Sequence, residues 1–195
     1  MQLVEIKLVH QGQYLSYYEA KYKLPDGREK IYEFVSRSGS VHSKAAPLTV
    51  ETLGKEMAPT AIVMFVVSED GQRALLCKEF RLAANDWIYN NPAGLIEPGE
   101  SYEEAARREL KEETGLDMTE VRYVWPTSYT MPGLTNDATQ LIICAAKGEI
   151  QPSDSPMEQI ESRWVTKAEA MELAANPEAH FSGRTQAMLT MWADS

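Results

Sequence analysis

One segment of this sequence constrains the fold more than any other, because it carries the signals that begin and end a helix. Ser101, followed three residues later by Glu104, forms a capping-box pattern, and Gly115 is typical of a helix C-terminus. The sequence therefore predicts one helix between these residues. Because successive residues of a helix are rotated by roughly 100° about its axis, the side chains divide into an apolar stripe and a solvated side. The stripe contains Tyr102, Ala105, Ala106 and Leu110, and the solvated side contains Glu103, Glu104, Arg107 and Lys111.

Three further glutamates lie where such a helix is usually apolar. Glu109 and Glu113 fall within the stripe, and Glu112 lies on its flank. Spacings of three and four residues place these carboxylates on neighbouring turns, where they repel one another unless positive charge neutralises them. Because burying unpaired carboxylates is costly, the pattern favours a bound divalent cation. The alternative is a glutamate-rich helix that is merely exposed to solvent.

The same segment carries a complete motif, G-x5-E-x7-R-E-U-x-E-E-x-G-U, in which U is aliphatic. It is formed by Gly94, Glu100, Arg108, Glu109, Glu112, Glu113 and Gly115, with Leu110 and Leu116 at the aliphatic positions. This motif is the Nudix box, and the chain therefore resembles the Nudix hydrolases. The resemblance implies hydrolysis of a nucleoside diphosphate linked to another moiety, with Mg²⁺ as cofactor and Mn²⁺ as the alternative ion.

Composition excludes several other classes of protein. The chain has 195 residues, 44% of them apolar, which suits one medium domain or a domain with a small appendage. Its net charge of −10 argues against a protein that grips nucleic acid. Its longest apolar run, residues 61–67, is far too short to span a membrane. The first residues lack the features of a secretion signal, so we expect a cytoplasmic protein. Cys77 and Cys144 fall in predicted strands and are expected to be buried thiols without chemistry.

The pattern along the chain predicts an α/β fold with a separate beginning. Residues 1–57 read as an N-terminal antiparallel β subdomain, and residues 58–195 as the Nudix domain. Alternation and turn signals predict strands at residues 3–9, 14–24, 29–35, 60–67, 74–80, 87–89, 121–125, 138–146 and 160–165. Closing helices are predicted at residues 167–175 and 184–192. Strands enclosed between helices predict an α/β/α sandwich with a mixed sheet, which is also the fold that the resemblance implies.

Segments around the box sharpen the resemblance to one branch of the family. Residues 78–81 (KEFR), 91–100 (NPAGLIEPGE) and 131–136 (MPGLTN) resemble ADP-ribose pyrophosphatases. In this branch a proline lies sixteen residues beyond the box, as Pro132 does here. The resemblance implies that Pro132 and Gly133 help to bind a nucleoside-diphosphate-sugar substrate. The chain departs from the branch at Asn90-Asn91, where members often carry a glutamate followed by an apolar residue, and this puts the exact substrate in doubt.

The resemblance also points to substrate contacts outside the box. Tyr32 and Arg37 match a family segment that holds an aromatic residue and an arginine at the adenine end. Arg81, just before the catalytic loop, could hold the diphosphate through its fork of N–H donors. The alternatives are a half-buried strand tyrosine and surface ion pairs. By analogy with the branch, we expect a homodimer whose N-terminal subdomain contributes to the partner's pocket.

The mechanism implied by the family assigns roles within the box. Glu109 and Glu113 are the expected metal ligands, with Glu112 and the Ala93 backbone carbonyl completing the set. Arg108 would orient the glutamates, with Glu100 as its partner. The leading general base is Glu158, in an acidic loop at residues 148–159, with Asp154 and Glu161 behind it. Glu112 is the alternative base.

The predicted reaction converts ADP-ribose to AMP and ribose 5-phosphate. One rival is a Nudix enzyme that cleaves another nucleotide sugar or a nucleoside triphosphate. A second is a catalytically silent Nudix module that binds a nucleotide or a protein, although binding alone does not require every carboxylate. A third is a purely structural acidic helix, which would bind no metal.

Overall fold

The computed structural model describes residues 1–43, 45–55, 58–153 and 159–195. Its contacts divide the chain into two compact units. Unit 1 comprises Met1–Thr60 and Thr127–Thr139, and unit 2 comprises Ala61–Pro126 and Gln140–Ser195. The predicted domains, residues 1–57 and residues 58–195, and the separate roles expected of them stay predictions.

Unit 1 contains a three-stranded antiparallel sheet in the order β1–β2–β3. The strands are β1 (Gln2–Gln11), β2 (Ser16–Lys23) and β3 (Glu29–Ser36). The predicted hairpin turn is present, because the Leu24 and Arg28 backbones pair and Gly27 adopts a positive φ of 85°. One face of the sheet buries Tyr18, Ala20 and Phe34. This sheet confirms the predicted antiparallel β subdomain.

Unit 2 is built on the main mixed sheet, whose central order is β11–β5–β4–β10–β8. Short strands β6 and β7 pair with β5 and β4. The bounds are β4 (Ala61–Ser68), β5 (Arg73–Arg81), β6 (Asp86–Asn90), β7 (Ala93–Leu95), β8 (Asp117–Val124), β10 (Ala138–Lys147) and β11 (Ile160–Thr166). The first two residues of β10 belong to unit 1, where they pair with β9 (Ser128–Tyr129).

Helices cover both faces of the main sheet. Helix α1 (Tyr102–Thr114) has the predicted capping box at Ser101 and a left-handed C-cap at Gly115. Its small apolar side chains pack with β4, β5 and β10 in one core cluster. Helices α2 (Lys167–Ala175) and α3 (Gly183–Ala193) pack on a second cluster. The α/β/α arrangement is therefore confirmed.

The structure differs from the sequence predictions at three strands. β8 begins at Asp117, four residues before the predicted start at residue 121. Met118 is the one buried residue among residues 117–120, so the alternation that identifies a half-buried strand is weak there. β7 and β9 were not predicted, because strands of three and two residues exist only through their pairing partners.

Two smaller expectations also bear on function. Cys77 and Cys144 are free and buried, as predicted, and burial raises the pKa of each thiol to about 12. Such thiols are unreactive at neutral pH.

Among the described residues, no helix has the length and apolar character needed to cross a membrane.

Candidate active site

Arg108 of α1 bonds to three of the four carboxylates of the box. Its Nε and Nη2 atoms donate to the two oxygens of Glu100, at 2.9 and 3.0 Å. Its Nη1 atom donates to Glu109 at 2.8 Å and to Glu112 at 3.2 Å, and Nη2 also reaches the Leu95 carbonyl at 3.0 Å. The expected pairing of Arg108 with Glu100 is thus present in bidentate geometry, which adds both energy and orientation.

This network shifts the ionisation of its members. The hydrogen bonds from Arg108, followed by the one from the Glu97 backbone N–H, hold the pKa of Glu100 below its usual value. The hydrogen bonds to Glu100 raise the pKa of Arg108, although partial burial opposes the increase. Both groups therefore remain charged at neutral pH, and Arg108 supplies a permanent positive charge among the glutamates.

The loop before the helix lies directly against two of these carboxylates. The Ala93 N–H donates to Glu113 Oε2 at 3.2 Å, and Glu113 is only 8% exposed. A Cβ atom added at Gly94 would overlap the Glu109 carboxylate. Gly94 is therefore required for close approach between the loop and the helix rather than for an unusual backbone conformation. The structure brings Ala93, Glu109 and Glu113 together at this point.

Glu112 lies at the outer edge of the network, where its side chain is 52% exposed. Within the described residues, no group of three His, Cys, Asp or Glu side chains is arranged so that it could hold a metal ion. The assignment of Ala93, Glu109, Glu112 and Glu113 as metal ligands stays a prediction.

The candidate general bases lie in different parts of the chain. Glu158 and Asp154 lie outside the described residues. Glu161 lies on β11 opposite Lys78, whereas the neighbouring pair, Ser162 and Cys77, faces the cluster that α1 covers. Alternation along the strands therefore places Glu161 on the sheet face opposite the box helix. This leaves Glu112 as the described candidate on the helix itself.

Unit 1 contains a separate cavity of about 720 Å³. Three residues expected to contact substrate line it, namely Tyr32, Arg37 and Pro132. Aromatic rings form part of the wall, and Glu51, Lys55 and Asp137 supply charge; the rings are those of Tyr22, Tyr32, Phe34 and Tyr129. An aromatic wall with a few placed polar groups is typical of a small-molecule site.

Tyr32 and Arg37 both bond to the segment that contains Pro132. The Tyr32 hydroxyl donates to the Gly133 carbonyl at 2.7 Å, and Arg37 Nε donates to Asp137 Oδ2 at 3.2 Å. Between them the Val35 N–H donates to the Leu134 carbonyl at 3.0 Å. The sequence indicates a role for Arg37 but not for Asp137. No sequence signal links two residues that are 100 positions apart.

Arg81 ends β5 and forms an ion pair with Glu79, at 2.5 Å between Nη1 and Oε1. The other oxygen of Glu79 accepts a hydrogen bond from Asn90 Nδ2 at 3.3 Å. The sequence indicates a role for Arg81 and an unusual residue at Asn90, but it does not indicate a role for Glu79. Its position two residues before Arg81 on one strand, which places both on the same face, could have suggested the pair.

Comparison with known proteins identifies the same family as the box motif. The family model described as NUDIX domain matches residues 57–184. The ADP-ribose pyrophosphatase of Saccharomyces cerevisiae is 29% identical over 159 residues, which cover 80% of this chain and 63% of that protein. A human NAD-capped RNA hydrolase is 31% identical over 115 residues, covering 57% of this chain and 23% of that protein. The chain thus spans less than two thirds of each relative.

A solved structure supports the fold. The crystal structure of an ADP compounds hydrolase superposes with a TM-score of 0.71 and 18% sequence identity. It covers 100% of this chain and 93% of the other. At this identity the likeness concerns the fold alone.

Proposed function

The chain belongs to the Nudix hydrolase family, and on that premise we propose that it hydrolyses the diphosphate bond of ADP-ribose or a related ADP-sugar. The products are AMP and a sugar phosphate. The observation that carries the proposal is the Arg108-centred group of carboxylates against Gly94. Similarity to a yeast ADP-ribose pyrophosphatase supports the substrate class.

The carboxylates suit a divalent metal in ligand type and in charge. Mg²⁺ prefers hard oxygen ligands, and three glutamates offer them: Glu109 lies against Gly94, Glu113 accepts from the Ala93 N–H, and Glu112 shares Arg108 with Glu109. Ala93 would contribute its carbonyl. When bound, the metal supplies positive charge for the diphosphate oxygens and acidity for the attacking water. Mn²⁺ offers the same ligand preference and is the alternative ion.

The residues of this chain have separate tasks in the proposed reaction. Arg108 orients Glu109 and Glu112 through charge-assisted hydrogen bonds, and Glu100 holds Arg108 in place. Ala93 fixes the Glu113 carboxylate through its backbone N–H. The attacking water passes its proton to Glu158 or Glu112. Hydrolysis by water requires no covalent bond between enzyme and substrate.

The residues that line the cavity of unit 1 favour the proposal of an ADP-containing substrate. Tyr32 offers a ring face on which an adenine base can stack, and Arg37 offers N–H donors for base or phosphate. Pro132 and Gly133 shape the segment to which Tyr32 bonds. Arg81, which has an exposed guanidinium, binds the diphosphate.

A substrate panel tests the proposal. Purified protein with magnesium is given ADP-ribose, other ADP-sugars, NAD⁺ and nucleoside triphosphates in heavy-oxygen water, and products are identified by mass spectrometry. We expect AMP and ribose 5-phosphate, with the label revealing which phosphorus is attacked. Glu113→Gln serves as the matched inactive control. Pyrophosphate release would instead identify a triphosphatase, and tight binding without hydrolysis would identify a silent module.

We also propose that the protein is a homodimer through unit 1. Apolar side chains on its strands remain exposed in the single chain, including Val4, Val9 and Ile31. Covering them would remove apolar surface from water. Light scattering at several protein concentrations measures the mass directly, and a monomer throughout would contradict the dimer.

A further inference from the structure

Asn90, the last residue of β6, joins three elements through its side-chain amide. Its Oδ1 accepts hydrogen bonds from Ser182 Oγ at 3.0 Å and from Thr185 Oγ1 at 3.3 Å. Its Nδ2 donates to Glu79 Oε2 at 3.3 Å. A carboxylate can only accept and a hydroxyl can donate, so this pattern fixes which end of the amide carries oxygen. Asn90 thereby connects the beginning of α3 to Glu79 on β5.

The two donors to Asn90 Oδ1 are themselves held in place. Ser182 is the N-cap of α3, and Thr185 is buried in the first turn of that helix. The segment that leads into α3 pairs with β6, because the Tyr89 N–H donates to the His180 carbonyl at 2.7 Å and the Ser182 N–H donates to the Tyr89 carbonyl at 3.0 Å. The oxygen end of the Asn90 amide is thus anchored on a rigid element.

Glu79 is held at both carboxylate oxygens. Oε2 accepts from Asn90 and Oε1 accepts from Arg81, and the Glu79 side chain is only 19% exposed. Arg81 is 55% exposed, and within the described part of the chain its guanidinium has no other side-chain or carbonyl partner. An isolated ion pair at such an exposed arginine would orient it weakly, but Glu79 belongs to a network because Asn90 bonds its other oxygen. The orientation of Arg81 therefore depends on how firmly Glu79 is fixed.

Glu79 lies on the same sheet face as the box. It is opposite Ile160, which packs in the core cluster that α1 covers. Cys77, two residues earlier on β5, belongs to the same cluster, so alternation along the strand places the Glu79 side chain on this face as well.

We propose that Asn90 is a positioning residue for substrate binding, which acts through Glu79 to hold Arg81 in the orientation that binds the substrate diphosphate. This inference rests on the proposed function. An acidic residue at position 90 could not donate to Glu79 and would repel it. The neutral amide is the side chain of this size that accepts from two hydroxyls and donates to a carboxylate at once.

A charge exchange between the two positions tests this proposal. Asn90→Asp keeps the shape and the acceptors for Ser182 and Thr185 but removes the donor to Glu79. We expect KM for ADP-ribose to rise about tenfold while kcat changes less than about threefold. Adding Glu79→Gln supplies an amide N–H at position 79 that can donate to the carboxylate at position 90, so the hydrogen bond runs in the opposite direction. It also removes the repulsion between the two carboxylates. The double variant should therefore return KM to within about threefold of wild type, which is strong non-additivity.

Controls separate positioning from simple structural support. Asn90→Ala removes the donor without adding charge, so its KM should rise less than that of Asn90→Asp, and Glu79→Gln should not rescue it. This variant also keeps the test available if Asn90→Asp does not fold, as judged by thermal melting. If the two single effects merely multiply in the double variant, or if kcat falls while KM stays constant, the proposal is overturned.

A binding measurement separates this inference from the proposed function. The Kd for ADP with magnesium, measured by calorimetry, reports diphosphate binding without turnover. The Kd should be lowest in wild type and in the double variant of Asn90→Asp with Glu79→Gln, higher in Asn90→Ala, and highest in Asn90→Asp. If wild type does not hydrolyse ADP-ribose but the Kd for ADP still differs among the variants in this order, the proposed function alone is overturned. Normal hydrolysis with equal Kd in all variants would overturn the role of Asn90 alone.

Discussion

The box in unit 2 and the cavity in unit 1 are built in opposite ways. The box groups are contributed by one helix and the loop before it, and charge holds them together through Arg108. The cavity joins Tyr32 and Arg37 to residues 129–137, roughly a hundred positions later in the chain, with aromatic walls and backbone carbonyls. On the proposed function, the reaction chemistry belongs to a local motif, whereas the choice of substrate depends on contacts between distant parts of the chain. Box changes should therefore lower kcat, and cavity changes should raise KM.

The largest effect is expected from Glu113→Gln. It keeps the size of a nearly buried side chain and its acceptor for the Ala93 N–H, but it removes the charge expected to bind metal. We expect kcat to fall at least about 100-fold. Steady-state kinetics over a magnesium titration measures the loss. Glu103→Gln, on the solvated side of the same helix, should keep nearly full activity, and comparable losses in both variants would contradict the assignment.

Gly94→Ala disturbs the box by steric overlap alone, without changing any charge, and so tests whether the position of the box glutamates affects kcat. The new Cβ would displace the flexible end of Glu109 rather than the backbone. We therefore expect kcat to fall about tenfold or more, with little change in Tm. Gly183→Ala is the matched control, because nothing lies within 4 Å of its added Cβ. Unchanged kcat in Gly94→Ala would mean that the position of Glu109 is unimportant.

Tyr32→Ala tests the cavity side of the comparison. Base–aromatic stacking is worth roughly 1–3 kcal/mol, so KM for ADP-ribose should rise about tenfold with kcat nearly constant. Tyr32→Phe keeps the ring and loses only the hydroxyl bond to Gly133, so its KM should stay close to that of wild type. A fall in kcat without a change in KM would remove the distinction between the two regions.

The smallest effect concerns acid stability at Glu100. Its folded-state pKa is below the unfolded value near 4.5, so its pairing with Arg108 stabilises the fold above that pH and ceases to do so as pH falls through the folded pKa. Glu100→Gln lacks this contribution. Thermal melts from neutral to acidic pH should therefore show a difference in Tm between wild type and variant that shrinks with acidification. A constant difference would contradict the linkage.

Much of the fold was predictable because its signals are local. The caps of α1 depend on side chains within three or four residues of the helix ends, and the hairpin before β3 depends on a turn glycine. β7 and β9 carry no such signal, since pairing alone makes them strands. The anchoring of Asn90 by α3 was equally hidden, because its two hydroxyl donors lie more than ninety residues away.

From the sequence alone, three glutamates and Arg108 fall on neighbouring turns of one helix, because residues three and four apart share a face wherever a helix forms. In the folded chain Arg108 bonds to Glu109 and Glu112, whereas Glu113 accepts from the Ala93 N–H. Only the tertiary structure decided that Asp137 pairs with Arg37, that Tyr32 bonds to Gly133, and that Asn90 holds Glu79. The physical reason is that spacing along a chain sets distance within one helix or strand, whereas distance between elements is set by how they pack.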